Sequence, residues 1–188
     1  NYTLSLHDAL PISHPTSFFR FCPHCGSGRF PAVSERSFRC GTCGFHFFVN
    51  SAAAVAALIF DSHGRLLVTR RAIDPDKGKL DLPGGFIDPG ESAEEAVRRE
   101  LAEELGLEPR AIRYLASAPN RYLYSGLTVF TTDLAFLVDT DIPVEMKASD
   151  DISGFEWVFP AEVDPGEIPA PSIRYFIKEI AHHAGKKR

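Results

Sequence analysis

The chain has 188 residues, 44% of them hydrophobic, which suits one catalytic domain of ordinary size with a small appendage. A net charge of −5 and a pI near 5.8 argue against broad nucleic-acid or membrane-surface binding, and the longest apolar run, Ala52 to Phe60, is too short to span a bilayer. No basic stretch precedes an apolar one at the N-terminus, and the four cysteines form two Cys-x-x-Cys pairs, so a reducing, cytoplasmic compartment is expected.

Asn1 to Ser13 share no pattern with the rest of the chain and read as non-native sequence or a disordered tail, with the tail taken to residue 17. From 18 to 48 lies a compact unit built on Cys22-Pro23-His24-Cys25-Gly26 and Cys40-Gly41-Thr42-Cys43-Gly44. The glycine of each knuckle permits a tight turn that brings amide N–H groups toward the sulfurs, and four thiolates supply tetrahedral Zn²⁺ ligation. The spacing resembles a zinc ribbon, with Cys22, Cys25, Cys40 and Cys43 as ligands and His24 left at the surface; two disulfides are the alternative, which a reducing compartment disfavours. Eight of the chain's 15 phenylalanines fall in this segment, as a unit so short needs both a staple and bulky hydrophobes. The four arginines against Glu35 give it a formal +3, which a Zn(Cys)₄ centre of about −2 largely cancels, so it reads as a structural or dimerisation element.

Asn50 onward forms a second domain, to residue 184. Ala52 to Phe60 reads as a strand, Asp61 to Gly64 as a turn, and Arg65 to Arg71 as a second strand closing a hairpin. A loop over Asp74 to Lys79 leads to Asp81-Leu82-Pro83-Gly84-Gly85, whose paired glycines allow close backbone approach to a phosphate or metal. Ser92 to Leu105 has no Gly or Pro and acids in its first turn, so it reads as a helix stopped by Gly106. At 100° per residue Val97, Leu101 and Leu105 form an apolar stripe, with Glu100, Glu103 and Glu104 gathered beside it. Carboxylates at i,i+3 and i,i+4 repel unless a cation joins them, and hard Mg²⁺ or Mn²⁺ suits oxygen ligands. Gly85 to Leu107 carries seven acids against two bases, a formal −5 equal to that of the whole chain. Further strands are read at Ile112 to Ala116, Leu127 to Val138 and Gly154 to Phe159, and a closing helix at Ser172 to His183.

The run from Gly85 through Glu91, Arg99-Glu100-Leu101, Glu103-Glu104 and Gly106-Leu107 fills every fixed position of the Nudix box, so the second domain resembles the Nudix hydrolases. That resemblance implies an α/β fold, an α/β/α sandwich with a mixed sheet, here preceded by the ribbon. It implies a metal-dependent hydrolase that cleaves the diphosphate of a nucleoside diphosphate-X substrate to a nucleoside monophosphate and phosphorylated X. By matching positions it makes Glu100, Glu103 and Glu104 the ligands of Mg²⁺ or Mn²⁺, with Glu103 or Glu104 as base. Arg99, with Glu95 and Glu103 as its i,i+4 partners, would hold the carboxylates in register, and Glu91 would tie Arg99 or a metal-bound water in place. Glu145, Asp150, Asp151 and Glu156 are candidates for a further carboxylate, and Gly84, Gly85 and Arg70 for phosphate contacts.

A ribbon ahead of a Nudix domain also resembles the NADH pyrophosphatases, but their Ser-Gln-Pro-Trp-Pro-Phe-Pro segment is replaced here by Ala118-Pro119-Asn120-Arg121-Tyr122-Leu123-Tyr124-Ser125-Gly126. Tyr122 and Tyr124 are candidates to stack a base. A nucleotide sugar or other nucleoside diphosphate-X is favoured over NAD(H). House-cleaning of nucleoside triphosphates and nucleotide sensing without catalysis are the rival readings. The expected partner is a small nucleotide, and many relatives are homodimers.

Overall fold

The computed structural model describes residues 14–142, 146–149 and 151–181. The expected tail over residues 1–13, the candidate acids Glu145 and Asp150, and the end of the closing helix at His182 and His183 lie outside the described residues. The chain divides into two compact units, one containing residues up to Ser51 with Arg121–Phe130, the other Ala52–Asn120 with the residues from Thr131.

In the first unit a short helix α1 (Pro15–Phe18) precedes three strands, β1 (Ala32–Ser34), β2 (Ser37–Arg39) and β3 (His46–Phe48), paired antiparallel in the order β1-β2-β3. So small a sheet has little apolar area to bury, and aromatic rings supply most of it. Phe38 is fully buried, stacked on Phe30 at 5.0 Å and met edge-on by Phe19 at 5.7 Å, with Cys22 and Cys40 in the same cluster.

The second unit begins with β4 (Ala52–Ile59), β5 (Leu66–Arg71) and β6 (Leu80–Asp81). The expected hairpin between the first two is not a ladder: one bridge, Phe60 to Leu66, joins them before they part. β4 runs parallel to β8 (Leu127–Thr140), whose other neighbour is β7 (Pro109–Tyr124), while β5 pairs antiparallel with β6 and β9 (Ile152–Val158). β4 reads as an unbroken apolar run because both its faces are covered. Val55, Ala57 and Ile59 pack with Val97, Leu101 and Leu105 of α2 (Ala93–Leu105), whereas Ala56 and Leu58 pack with Ile173, Phe176 and Ile177 of the closing helix. A mixed sheet lies between the two helices, the α/β/α arrangement.

Two further elements depart from expectation. β7 is far longer than Ile112 to Ala116, since Pro119 sits within the strand and Ser125-Gly126, both at positive φ, turn the chain straight into β8. The closing helix is α-helical only as α3 (Pro171–Tyr175), then widens to a π turn over Phe176–Ala181. Among the described residues no helix is long and apolar enough to cross a membrane.

Candidate active site

α2 starts with a capping box. Ser92 Oγ accepts from Glu95 N at 3.3 Å, and Glu95 Oε2 accepts from Ser92 N at 2.8 Å. These bonds hold the Glu95 carboxyl below its usual range, and they take Glu95 out of the expected pairing with Arg99. Left-handed Gly106 ends the helix, its N–H returning to Ala102 O.

Arg99 is the hub of the site. Its Nε and Nη2 donate to the two oxygens of Glu91, each at 2.9 Å, in a fork that fixes the guanidinium plane. Nη1 donates to Glu100 Oε1 at 2.7 Å and to Glu103 Oε2 at 3.2 Å, and Nη2 also reaches Phe86 O at 2.9 Å. The hydrogen bonds to Glu91, ahead of those to Glu100 and Glu103, raise the Arg99 pKa further, and the same contact with Arg99, with Asp88 N second, lowers that of Glu91.

The two glycines before the box act on the carboxylates. Gly84 N donates to Glu104 Oε2 at 3.0 Å, and Glu104 is only 4% exposed. A methyl at Gly84, where φ is 140°, would lie 2.2 Å from Val55 O, so only glycine lets this segment press against β4. A methyl at Gly85 would lie 2.5 Å from Glu100 Oε1. The expected close approach is therefore between this backbone and two glutamates of the helix.

Glu100 and Glu103 are joined through Arg99, and Glu104 is held separately through Gly84. The donor type suits a divalent cation, since all three offer carboxylate oxygens on consecutive turns, one side chain half exposed and two largely buried, although among the described residues the three do not converge as the cysteines below do. Ser149 ties the segment ahead of β9 to the end of α2, its N–H donating to Glu104 O at 3.0 Å and its hydroxyl to Glu103 O. Sequence reasoning misses this residue, because a lone serine in a loop carries no pattern.

Arg70 is bound to Glu156 at 2.6 Å and Glu167 at 3.5 Å, so a phosphate there would compete with two carboxylates, and Glu156 is itself an ion-pair partner. Asp151 is exposed in the turn before β9. Tyr122 and Tyr124 stack on each other at 6.3 Å in the first unit, whereas the glutamates belong to the second.

In the first unit the four cysteine sulfurs lie within 4.8 Å of one another, the one such gathering of three or more metal-ligating side chains among the described residues. Sγ of Cys22 and Cys43 are 3.8 Å apart and those of Cys25 and Cys40 are 3.7 Å apart, far beyond a disulfide bond. Metal–sulfur bonds of about 2.3 Å in a tetrahedron place sulfurs about 3.8 Å apart, so the thiols already have the geometry of a small zinc ribbon. Amide N–H groups of Cys43 and Thr42 aim at Cys40 Sγ and pull that thiol down to about 6. The Ser27 backbone lowers Cys25, but its thiol neighbours, Cys43 first, and burial outweigh it and push Cys25 up to about 12. His24 stays outside the cluster and stacks on Phe45.

A family profile described as NUDIX domain matches residues 50–179. The chain is 27% identical over 179 residues to the NAD-capped RNA hydrolase NudC of Vibrio parahaemolyticus, covering 93% of this chain and 66% of the relative. It is 32% identical over 120 residues to NudC of Deinococcus radiodurans, covering 62% and 42%, and 35% identical over 115 residues to the ADP-ribose pyrophosphatase of Methanocaldococcus jannaschii, covering 60% and 64%. It thus spans less than two thirds of the length of these relatives. A NUDIX hydrolase from Nitrosomonas europaea shares the fold with a TM-score of 0.65 at 17% identity, covering 90% of this chain and 94% of that one. With the complete box on a capped helix, Glu100 and Glu103 held on Arg99, Glu104 held on Gly84 N, and the profile matched over most of its length, this chain belongs to the Nudix family.

Proposed function

We propose that the chain is a metal-dependent pyrophosphohydrolase that cleaves the diphosphate of a nucleoside diphosphate-X compound, releasing a nucleoside monophosphate and phosphorylated X. The observation that carries this reading is the Arg99 hub, which orders Glu91, Glu100 and Glu103 at the end of the glycine segment. Glu100, Glu103 and Glu104 would hold Mg²⁺ or Mn²⁺, and the bound cation would lower the pKa of a water and neutralise phosphate charge. Glu91 keeps the guanidinium in one plane, so the Arg99 contacts to Glu100 and Glu103 have fixed directions. Glu103 is 48% exposed at its side chain, while Glu104 is nearly sealed with one oxygen on Gly84 N, which supports Glu103 over Glu104 as the carboxylate that would take a proton from the attacking water.

The four-cysteine cluster would hold one structural Zn²⁺, which fixes the ribbon and takes no part in the chemistry. ADP-ribose is the first substrate to try, being the compound that the Methanocaldococcus relative is named for cleaving. A substrate bearing an NAD moiety, NAD(H) among them, is the second reading, supported by relatives named as NAD-capped RNA hydrolases and by the cysteine cluster of the ribbon. The test is Glu103→Gln in the full chain with Mg²⁺. A general-base role makes turnover fall about 10²- to 10⁴-fold with the fold intact, and near wild-type turnover would remove Glu103 from the reaction.

A further inference from the structure

β8 carries an acid where its neighbours on that face are apolar or small. Asp133 is 5% exposed, and one of its oxygens accepts from Ser172 Oγ at the start of α3. Its other oxygen, Oδ1, is buried with no hydrogen-bond partner, and so are Thr131 Oγ1 and Asn120 Oδ1. Thr131 and Asp133 are two residues apart on one strand and share a face. Alternation from Ala116 and Ala118, which pack with Ala135 on the α3 side of the sheet, puts Asn120 on that face of neighbouring β7.

A buried polar atom left unpaired costs about 1–3 kcal/mol, and native folds hold few of them. Three gathered on one patch of two adjacent strands call for a common partner. The Asp133 and Asn120 oxygens can only accept, and the Thr131 hydroxyl can accept or donate, so the partner must present several N–H donors. The patch also lies on a line with the active site. Asp133 pairs with Ala54, and Ala54 bridges Phe86, whose carbonyl takes Arg99. Counted along the backbone pairing, two strand spacings, about 10 Å, separate Asp133, on the α3 side of the sheet, from Phe86. Ala54, its partner on β4, carries only a methyl group and is half-buried.

We propose that Asn120, Thr131 and Asp133 form a specificity subsite that receives the amino-bearing edge of a nucleobase, as in adenine, cytosine or guanine, when a nucleoside diphosphate-X compound is bound. The subsite rests on the proposed hydrolase function, and direct binding separates the two. The experiment is calorimetric binding of AMP, CMP, GMP and UMP to the full chain and to Asp133→Asn and Thr131→Val, with ADP-ribose hydrolysis by the wild type measured alongside. At least one amino-bearing nucleotide should bind about tenfold or more tightly than UMP, and the preference should collapse toward unity in Asp133→Asn, which turns an acceptor into a donor. Should Asp133→Asn fail to fold, Thr131→Val must show a reduced preference.

Equal binding of all four by the wild type, or an unchanged preference in both folded variants, would overturn the subsite and leave an ordered water as the partner. An equal weakening of all four nucleotides would mark Asp133 as structural only. Hydrolysis without base preference sinks the subsite alone, and base preference without hydrolysis sinks the hydrolase reading alone.

Discussion

Replacing Gly85 by alanine separates the fold from the site. The added methyl would stand 2.5 Å from Glu100 Oε1 and 2.7 Å from its Cδ, where ordinary contact begins at 3.4 Å. The clash is with the tip of a side chain, so the backbone can stay and the carboxylate must retreat by about 0.9 Å, the difference between those distances. That retreat breaks the registry of Glu100 with Arg99 Nη1, now 2.7 Å. A misplacement of about 1 Å at a reacting centre costs on the order of 10²-fold in rate, about 2.7 kcal/mol of transition-state stabilisation. The variant should melt close to wild type while kcat/KM for ADP-ribose with Mg²⁺ falls by about that factor. Gly84→Ala is the control: its methyl would meet the Val55 carbonyl at 2.2 Å in a strained φ, backbone against backbone, so it should destabilise the fold outright. A folded Gly85→Ala enzyme within about twofold of wild type would refute the assignment of Glu100 to the site.

Glu91 bears on acid stability. Its lowered pKa, caused first by Arg99, means that it stabilises the fold above the ordinary carboxylate range, and that this contribution is lost as pH falls through its depressed folded value. Glu91→Gln should therefore destabilise the protein at neutral pH and flatten the acid limb of its unfolding profile; parallel profiles would contradict the pairing. Cys25→Ser should leave three ligands and release close to one zinc per chain, read by elemental analysis, whereas retained stoichiometric zinc would refute the four-cysteine assignment. Because Arg99 forks onto Glu91, Arg99→Lys should not substitute for it: a point charge cannot hold three carboxylates at once, and turnover should fall while the melting temperature drops only modestly.

The box helix is legible in the sequence because its signals are local. Ser92, the first-turn acids, the apolar stripe and Gly106 lie within fifteen residues, and capping and periodicity act at that range. The cysteine knuckles are legible for the same reason. What the sequence conceals lies between segments. Spacing at i,i+4 points Arg99 to Glu95 as well as Glu103, but Glu95 closes the capping box and Glu91, eight residues away, takes the guanidinium. The glycines read as room for a ligand, yet their close neighbours are Val55 and Glu100. The extent of β7 is hidden by Pro119, which reads as a break from sequence alone. Asp133 is visible as an acid in the otherwise uncharged run from Leu127 to Val138, but its partner Ser172 lies 39 residues on, beyond the reach of local spacing.

The most direct test of the central claim is hydrolysis by the wild-type chain, with products identified by mass, of ADP-ribose, NADH, nucleotide sugars and nucleoside triphosphates, with Mg²⁺ or Mn²⁺ and with chelator. Metal-dependent release of a nucleoside monophosphate and phosphorylated X from a diphosphate is the predicted result. Cleavage that persists under chelation, release of pyrophosphate from triphosphates alone, or no cleavage of any compound would contradict it.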